Sequence, residues 1–418
     1  RPDFRTINRF RSEVMKEVID KTFASVLETL IEKGYIKSEN YFVDGTKIEA
    51  NANRYSYVWS KSTKKHKKRV QDKIKDLLKH IDRVNEEENE EYGDRDLEEL
   101  GEGIELDPAE LERKIEELNE KLKKKPDKQQ AKALKIMEKE YLPRLRKYEE
   151  QEDILGERNS YSKTDPDATF MRMKDDHLKN GQLKPAYNVQ VGTENQFILG
   201  FSIHQRPGDS TCLIPHLEQV KNAQLGKLPQ NIIADAGYGS EENYEYLARH
   251  GLGNYVKYNT FHLETTRKFK NDPFRVENLV YDESKDEYIC PAGKRLRHVE
   301  VKQKKTINGY ITERTIYECE DCSGCPLKEK CTKSKGNRQI QVNKRLQILR
   351  QEAARNLRSE KGKLLRARRS VEVESVFGRL KHNWSFRRFM LRGTEKVKTE
   401  LGLLCIAHNI AKMAALMS

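Results

Sequence analysis

Residues 231–240, which read Asn-Ile-Ile-Ala-Asp-Ala-Gly-Tyr-Gly-Ser, constrain the fold more than any other part of the chain. Their apolar start predicts a short buried strand that ends at Asp235. Ser240, Glu241 and Glu242 then predict the beginning of a helix, because serine caps a first turn and acidic residues suit the positive end of the helix dipole. A strand, a carboxylate and a helix in this order are typical of an α/β sheet with a site at its carboxyl edge. Taken alone, Asp235 could equally be the cap of a turn.

A second carboxylate follows a second apolar stretch. Residues 41–43 read Tyr-Phe-Val and run directly into Asp44 and Gly45. We expect a strand that ends at Asp44, although Asp-Gly is also a strong hairpin signal and Asp44 could be only a turn residue.

The remaining strand signals lie between residues 165 and 257. Residues 187–191 and 197–203 predict a hairpin around the turn at 192–195, a helix is expected from Ser210, and residues 254–257 predict a further strand. Counted from residue 41, the order is strand, insertion, strand, strand, helix, strand, helix, strand. This order fits a mixed α/β sheet covered by helices.

A charged segment, residues 60–164, interrupts this pattern. It opens with a nearly continuous basic run at residues 61–69, which beside an active site would attract phosphates. Apolar residues then recur at spacings of three and four, as in a heptad repeat: Val70, Ile74, Leu77, Ile81 and Val84. We predict a helical hairpin or short coiled coil, most of whose charges are solvated.

Five of the seven cysteines fall between residues 290 and 331. Overlapping Cys-x-x-Cys pairs beside Gly and Pro are typical of knuckles that bind tetrahedral Zn²⁺, and ordinary free thiols are the alternative. We expect a structural, fully coordinated zinc site, and Cys319 is then the extra cysteine. The four expected ligands are Cys290, Cys322, Cys325 and Cys331.

The charge of the chain favours a polyanionic partner. The 80 Lys and Arg exceed the 67 Asp and Glu, which gives a net charge of +13 and a pI near 9.1. Nucleic acid is therefore expected ahead of a membrane surface. We find neither a signal peptide nor an apolar run as long as a membrane span. Because the chain starts at Arg1 in mid-pattern, we expect a preceding amino-terminal segment to be missing.

The C-terminal part, residues 346–418, is predicted to be helical. An apolar stripe at helical spacing runs along residues 373–380. At 100° per residue, Glu374 and Lys381 share one flank of this stripe, whereas Glu372 and Arg379 share the other. Either glutamate could be an ordinary exposed helix residue.

Asp44, Asp235 and Glu374 together suit phosphoryl transfer assisted by divalent ions. Mg²⁺ takes oxygen ligands and is often held by a few carboxylates and the phosphates of the substrate. Two such ions can activate the attacking oxygen and stabilise the leaving one.

Around these carboxylates, and along nearly the whole chain, the sequence resembles the DDE transposases of bacterial insertion sequences, which have an RNase H-like core. Residues 42–46 and 233–238 resemble the motifs of the first and second aspartate, and residues 373–383 resemble the glutamate motif. Further similar segments are residues 165–168, 184–190, 387–389, 392–393 and 408–409, together with the Cys-Pro knuckle. Residues 2–11 resemble the end of the family's amino-terminal region.

The resemblance implies that Asp44, Asp235 and Glu374 bind two Mg²⁺ or Mn²⁺ ions. Related families have an arginine four residues before the glutamate; Ser370 holds that place for Glu374, whereas Arg368 holds it for Glu372. We nevertheless prefer Glu374. The residues expected to contact DNA are Lys381, Arg379, Arg368, Arg369 and Lys184.

The implied fold is an RNase H-like mixed sheet with flanking helices, interrupted by a helical coiled-coil insertion and a cysteine-rich insertion resembling a zinc knuckle. The expected parts are a helical N-terminal remnant (1–40), the divided core (41–59, 165–257 and 346–418), the helical insertion (60–164) and the cysteine-rich insertion (258–345). A transposase that cuts transposon ends and joins them to target DNA is expected, as a dimer or higher oligomer in the bacterial cytoplasm at the nucleoid. The alternatives are a metal-dependent nuclease without strand transfer and a DNA-binding or regulatory protein with an inactive core.

Overall fold

The computed structural model describes residues 2–92, 107–124, 127–173 and 181–417, with the side chains of residues 82–92 and 124 left out. The chain divides into two compact units. One comprises residues 1–51 and 171–418, and the other comprises residues 52–170. All three predicted catalytic carboxylates belong to the first unit.

The strands of the described residues, in chain order, are β1 (Asn40–Glu49), β2 (Tyr57–Trp59), β3 (Ser160–Ser162), β4 (Thr169–Arg172), β5 (Leu183–Glu194), β6 (Phe197–His204), β7 (Asn231–Ala234), β8 (Gly253–Val256), β9 (Val280–Asp282), β10 (Glu287–Ile289), β11 (Arg295–Lys305), β12 (Ile311–Cys319) and β13 (Gln339–Val342). The α-helices are α1 (Phe4–Arg9), α2 (Met15–Glu32), α3 (Ser60–Tyr92), α4 (Pro108–Lys124), α5 (Lys128–Ile136), α6 (Leu142–Leu155), α7 (Leu213–Gln219), α8 (Glu241–Arg249), α9 (Arg267–Lys270), α10 (Lys328–Cys331), α11 (Lys344–Arg358), α12 (Glu360–Arg369), α13 (Ser375–Gly378) and α14 (Thr394–Met417).

The first unit is built on a mixed sheet whose strands pair in the order β6-β5-β1-β7-β8. β1 pairs antiparallel with β5 and parallel with β7, and β8 continues the parallel half. One apolar cluster joins the sheet residues Phe42 and Ile233 to Leu357 of α11 and Leu365 of α12. Helices α2 and α14 pack together, and α14 also contacts β6. The mixed α/β architecture expected from the sequence is confirmed.

β1 does not end at Asp44. The strand continues to Glu49, and Asp44 pairs with Val191 of β5 in the antiparallel ladder. The expected strand end is therefore wrong, because eight consecutive residue pairs with β5 override the turn preference of Asp-Gly. Asp44 consequently lies in the middle of a central strand.

The other predicted strands are present, with shifted bounds. β5 runs on to Glu194, so the hairpin turn lies at Asn195 and Gln196 and not at residues 192–195, and the helix expected from Ser210 begins at Leu213 after a short 3₁₀ turn. The expected hairpin is formed by β5 and β6. β7 ends one residue before Asp235, and Ser240 caps α8 by accepting a hydrogen bond from the Asn243 N–H at 3.2 Å. Glu194, at the end of β5, accepts hydrogen bonds from the backbone N–H groups of residues 37–40 at 2.7–3.1 Å. This single carboxylate thereby fixes the entry to β1.

The cysteine-rich region forms an antiparallel sheet in the order β13-β12-β11-β10-β9. Its core contains Leu296, Tyr317, Ile340 and two of the cysteines, Cys319 and Cys322. This sheet was not anticipated from the sequence, in which the cysteines dominate the pattern. A knuckle motif stays a prediction.

The second unit contains a helical core of its own. Helices α3, α4, α5 and α6 share one apolar cluster that includes Val70, Ile74 and Ile81 of the predicted stripe. Leu78 is buried in this cluster, whereas the predicted Leu77 lies at its margin. The side chain of Val84 lies outside the described residues. β2 and β3 form a small antiparallel sheet in the same unit.

Helix α14 is long and apolar enough to cross a membrane, with 24 residues and a mean hydropathy of 1.3. The expectation that no apolar segment reaches this length is therefore wrong. Core helices of soluble proteins can be as long and as apolar as this one. α14 is anchored to the sheet by Asn409, whose side chain accepts from the Ile198 N–H and donates to the Ile198 carbonyl, both at 2.8 Å.

Candidate active site

Two of the three carboxylates are placed side by side by the strand register. The last parallel pair between β1 and β7 joins Phe42 to Ile233, so Asp44 and Asp235 each lie two residues beyond it. Asp235 follows β7 directly and accepts a hydrogen bond from the Gly237 N–H at 2.8 Å. Neighbouring parallel strands thus bring both carboxylates together where the β1–β7 pairing ends, at the carboxyl edge of the parallel half of the sheet.

Glu374 joins them from the helical segment that follows α12. The Arg369 guanidinium contacts all three side chains: Nη2 lies 3.5 Å from Asp44 Oδ2 and 3.4 Å from Asp235 Oδ2, and Nη1 lies 3.8 Å from Glu374 Oε1. The Arg369 side chain is only 12% exposed, and its Nε is buried without a hydrogen-bond partner. The three carboxylates therefore converge on one cation.

The two candidate glutamates occupy different environments. The Glu374 side chain is 63% exposed and faces Arg369. The Glu372 side chain is 5% exposed, pairs with Arg368 at 2.6 Å and accepts a hydrogen bond from the Gln196 N–H at 2.7 Å. A turn of π-helix spans residues 370–374. Glu372 thus holds the helical segment against the β5–β6 turn. Of the two glutamates, Glu374 is the one that contacts Arg369, the cation shared by Asp44 and Asp235.

A buried polar network lies beside the two aspartates. Tyr238 donates its hydroxyl to Gln190, and the Gln190 amide donates to Asn188 at 2.9 Å and to Asp209 at 3.1 Å. Asn188 also donates to Asp209, at 2.8 Å. Burial, and after it the charges of Asp209, Asp44 and Asp235, raise the pKa of Tyr238 well above its ordinary value. Tyr238 therefore stays protonated, and its neutral hydroxyl donates to Gln190.

A lysine stands at the same edge of the sheet. Lys257 follows β8 and donates its backbone N–H to the Ala234 carbonyl at 3.2 Å, so it neighbours Asp235 in register. Burial lowers the pKa of Lys257, the positive charges of Arg369 and Arg366 lower it further, and Asp235 opposes them. Lys257, Arg366 and Arg369 form a compact cationic group beside the carboxylates.

The residues expected to contact DNA have diverse surroundings. Lys381 donates to the Lys47 carbonyl at 3.1 Å, which places its ammonium beside the second half of β1. Lys184 pairs with Glu49 at 3.2 Å. The Arg379 guanidinium lies over the Trp384 ring at 5.2 Å, and Arg368 is engaged with Glu372. Their contacts with DNA stay predictions.

All five clustered cysteines line one small cavity of about 20 Å³. Cys331 Sγ accepts from Arg338 Nη1 at 3.1 Å, and Cys322 Sγ accepts from the Arg338 N–H at 3.4 Å. Cys319 is buried, and its thiol faces the Asp321 carbonyl at 3.7 Å. Within residues 2–92, 107–124, 127–173 and 181–417, no group of three or more His, Cys, Asp and Glu is arranged to hold a metal ion.

Sequence reasoning did not single out Asp209 or Lys257. The alternation of Asn188 and Gln190 along one face of an otherwise apolar β5 was a usable signal for a buried polar partner. Lys257 ends the run Asn-Tyr-Val-Lys, and its relevance depends on β8 lying beside β7. No local pattern in the sequence reveals that pairing.

Comparison with known proteins gives one match. A family model described as "Transposase DDE domain" matches residues 289–414, a range that includes Glu374 and Lys381. No curated protein and no solved structure matches the chain. The match confirms the resemblance to DDE transposases. Transposase DDE domains are nucleic-acid-cleaving enzymes that bind DNA and typically use divalent metal ions.

Proposed function

We propose that this protein is the transposase of a bacterial insertion sequence, with an RNase H-like core that cuts DNA at transposon ends and joins the freed 3′-hydroxyl to target DNA. One observation carries the proposal: Asp44, Asp235 and Glu374, which are far apart in sequence, meet around a single guanidinium at 3.4–3.8 Å. The mixed sheet covered by helices supports the assignment of the core, and the family match supports the class of reaction.

Asp44, Asp235 and Glu374 offer the oxygen ligands that Mg²⁺ and Mn²⁺ take, and they converge on one cation; to hold metal ions they would have to draw closer together than in this structure, and Arg369 would have to move aside. Asp44, Asp235 and Glu374 would hold two Mg²⁺ or Mn²⁺ ions, which supply activation of the attacking oxygen and stabilisation of the leaving oxygen. The rigid positions of Asp44 and Asp235 come from the β1–β7 ladder, and the polar network of Tyr238, Gln190 and Asp209 lies beside them. Glu374, being exposed, can adjust to the substrate.

The basic residues of the first unit would position DNA. Lys381 stands seven residues after Glu374 and would bind the backbone near the cut phosphate, with Arg379 and Lys184 further along. Arg369, which lies between the three carboxylates, would bind at the cut itself. Arg368 is better explained by its pairing with Glu372. We propose a dimer or higher oligomer that acts in the cytoplasm, on the nucleoid, because two transposon ends must be handled together.

A structural zinc ion is a separate part of the proposal. Soft thiolate ligands suit Zn²⁺, and all five cysteines line one cavity. Cys290, Cys322, Cys325 and Cys331 would be the ligands, with Cys319 the extra cysteine. Arg338, which donates to Cys322 and Cys331 in this structure, would have to release them. We expect about one zinc per chain by elemental analysis, lost in Cys325→Ser and kept in Cys212→Ser. Zinc-free protein with unchanged stability after chelation would contradict this.

The proposed activity is tested with a labelled transposon-end duplex and Mg²⁺ or Mn²⁺. Wild-type protein should give nicked and joined products, and Asp235→Asn and Glu374→Gln should give neither. Nicks without joints would favour a nuclease. Binding without nicks under either metal would favour a DNA-binding or regulatory protein with an inactive core.

A further inference from the structure

A cavity of about 1140 Å³ lies in the first unit, and Gly239 in its wall packs against the backbone carbonyl of Lys257, the residue that neighbours Asp235 in register. Its wall includes Gly239 and Ser240, which follow Asp235 by four and five residues, and Tyr258, the neighbour of Lys257. The volume exceeds the roughly 300–1,000 Å³ that is usual for small-molecule sites. The cavity is therefore large enough for a segment of a polymer.

One wall of the cavity is a face of α11. Leu346, Arg350, Ala354 and Arg358 recur at four-residue spacing and line it together. The Arg350 guanidinium lies 5.5 Å from the centre of the Tyr258 ring, and its Nε is buried without a hydrogen-bond partner. Helix α11 thus presents a cation that is stacked but incompletely hydrogen-bonded.

The other wall carries aromatic side chains. Tyr281 and Tyr288 come from β9 and β10, and Tyr310 comes from the turn that leads into β12. Tyrosine and arginine together form surfaces on which unpaired bases stack, and the arginines also bind phosphates. Bases inside a duplex are stacked on one another and are not accessible to such side chains.

The arginines of the cavity offer cations to a phosphate backbone, although Glu241, Glu242, Glu264 and Glu277 also line it and hydrogen bonds from neutral donors leave their charges in place. Three of its glutamates are already engaged: Glu241 accepts from Thr312 and Asn343, Glu242 from Thr306, and Glu264 from Arg358 at 3.0 Å. In the part of the chain that the structure describes, the lining arginines at positions 314, 350 and 355 pair with no carboxylate. These three arginines can therefore pair with the phosphates of a bound ligand.

We infer that this cavity binds single-stranded DNA that continues from the cleavage site, a role that rests on the proposed function. The strand would run from the carboxylates past Lys257 and Arg366 to Arg350. Its phosphates would contact the arginines, and its bases would stack on the tyrosines. Substrates with unpaired nucleotides at the transposon end are then preferred over fully paired ends.

The test measures the binding of a fluorescent oligothymidylate and of a blunt duplex of equal length by anisotropy, with the full chain and without divalent metal. Arg350→Gln should weaken binding of the oligothymidylate about tenfold, and binding of the duplex less than about twofold. Arg345→Gln is the matched control: Arg345 lies on the same helix and pairs with Glu245 at 3.7 Å, but does not line the cavity. It should behave as wild type.

Two further measurements keep the inference testable if Arg350→Gln folds poorly. Arg314→Gln removes a cation from β12 and should give a similar selective loss. Photo-cross-linking of an iododeoxyuridine oligonucleotide should modify Tyr258, Tyr281 or Tyr288, as mapped by mass spectrometry. Equal losses for both DNAs, the same loss in Arg345→Gln, or no binding of the oligothymidylate by wild type would overturn the inference.

The outcome for the cavity is separable from the outcome for catalysis. Asp235→Asn should abolish cutting and keep binding of the oligothymidylate. Wild-type protein that binds the oligothymidylate in an Arg350-dependent manner but never cuts DNA would refute the proposed function alone. If the Arg350→Gln variant cuts and joins both paired and unpaired ends as well as wild-type protein does, the cavity role alone is refuted.

Discussion

Replacing Glu372 and Glu374 by glutamine, one at a time, should separate stability from catalysis. The two residues are a single residue apart in one helical segment, and both substitutions preserve size. Glu372 is buried against Arg368 and the Gln196 N–H, whereas Glu374 is exposed beside Arg369. One variant should therefore lose folding free energy, and the other should lose strand cutting.

The magnitude for Glu372→Gln follows from its contacts. A hydrogen bond to a charged group contributes roughly 1.5–3 kcal/mol, and the new amide NH₂ would face the N–H donors of Arg368 or Gln196. The larger penalty of a broken buried ion pair does not apply, because the Arg368 side chain is 45% exposed and can turn to water. We expect a loss of about 2 kcal/mol in the free energy of unfolding, with cutting retained in the folded fraction.

Glu374→Gln should show the opposite behaviour. Its side chain is exposed and 3.8 Å from the nearest guanidinium nitrogen, so the free energy of unfolding should change by less than about 0.5 kcal/mol. Removing one carboxylate from the set that stabilises transition-state charge should lower the cutting rate by about 100-fold or more.

The assays are urea denaturation followed by circular dichroism, and single-turnover nicking of an end-labelled duplex. Glu360→Gln is the control, because Glu360 is a solvent-exposed residue at the start of α12 and should affect neither measurement. The reasoning is refuted if Glu372→Gln is as stable as wild type and inactive, or if Glu374→Gln cuts DNA normally.

Three further predictions concern stability. Burial lowers the pKa of His216 to about 3, below its ordinary 6.5, so between these pH values the unfolded chain binds a proton that the folded chain does not. The contribution of His216 to the free energy of unfolding should therefore fall by about 1.4 kcal/mol per pH unit as the pH drops from 6.5 towards 3. Urea denaturation at pH 7 and pH 5 measures this fall, and equal stability at both pH values would contradict the burial argument. Gly402→Ala should lower the free energy of unfolding by about 1–3 kcal/mol, because the new Cβ would lie 2.4 Å from a side-chain carbon of α2. Gly378→Ala meets open space and should leave stability unchanged or raise it. Thermal denaturation of both variants measures the difference. Glu194→Ala should cost about 2–4 kcal/mol through the unsatisfied amides of residues 37–40, with Glu194→Gln intermediate; equal melting temperatures would refute this.

The positions of the sheet's strands were predictable from the sequence, but which strands pair with one another was not. The apolar runs before Asp44 and Asp235 mark β1 and β7 because continuous apolar residues are what a strand buried on both faces requires. That β1 extends to Glu49 depends on its pairing with β5, which begins beyond residue 180. Such a long-range pairing leaves no trace in the local pattern around Asp44.

The sequence pointed to the three carboxylates that lie together in the candidate site, but it did not predict where the cations around them lie. The helical periodicity around residue 374 correctly placed Glu372 and Glu374 on different flanks, and the structure gives them different partners. Arg369 was expected to bind DNA, yet its position between three carboxylates is a property of the fold. In the helical insertion, the apolar stripe is also shifted by one residue, since Leu78 and not Leu77 is fully buried.

The interruption of the first unit has a consequence for biosynthesis. β1 leaves the ribosome about 140 residues before β5, its antiparallel partner, is complete. At usual translation rates of 5–20 residues per second, that interval is roughly 7–30 s. The intervening residues 52–170 contain their own apolar core and can collapse during this time. Tyr41, Phe42 and Val43 of β1 meanwhile have no strand to pair with. Production of this protein should therefore depend on chaperones and on translation speed, and faster synthesis of residues 52–194 should raise the yield of folded protein.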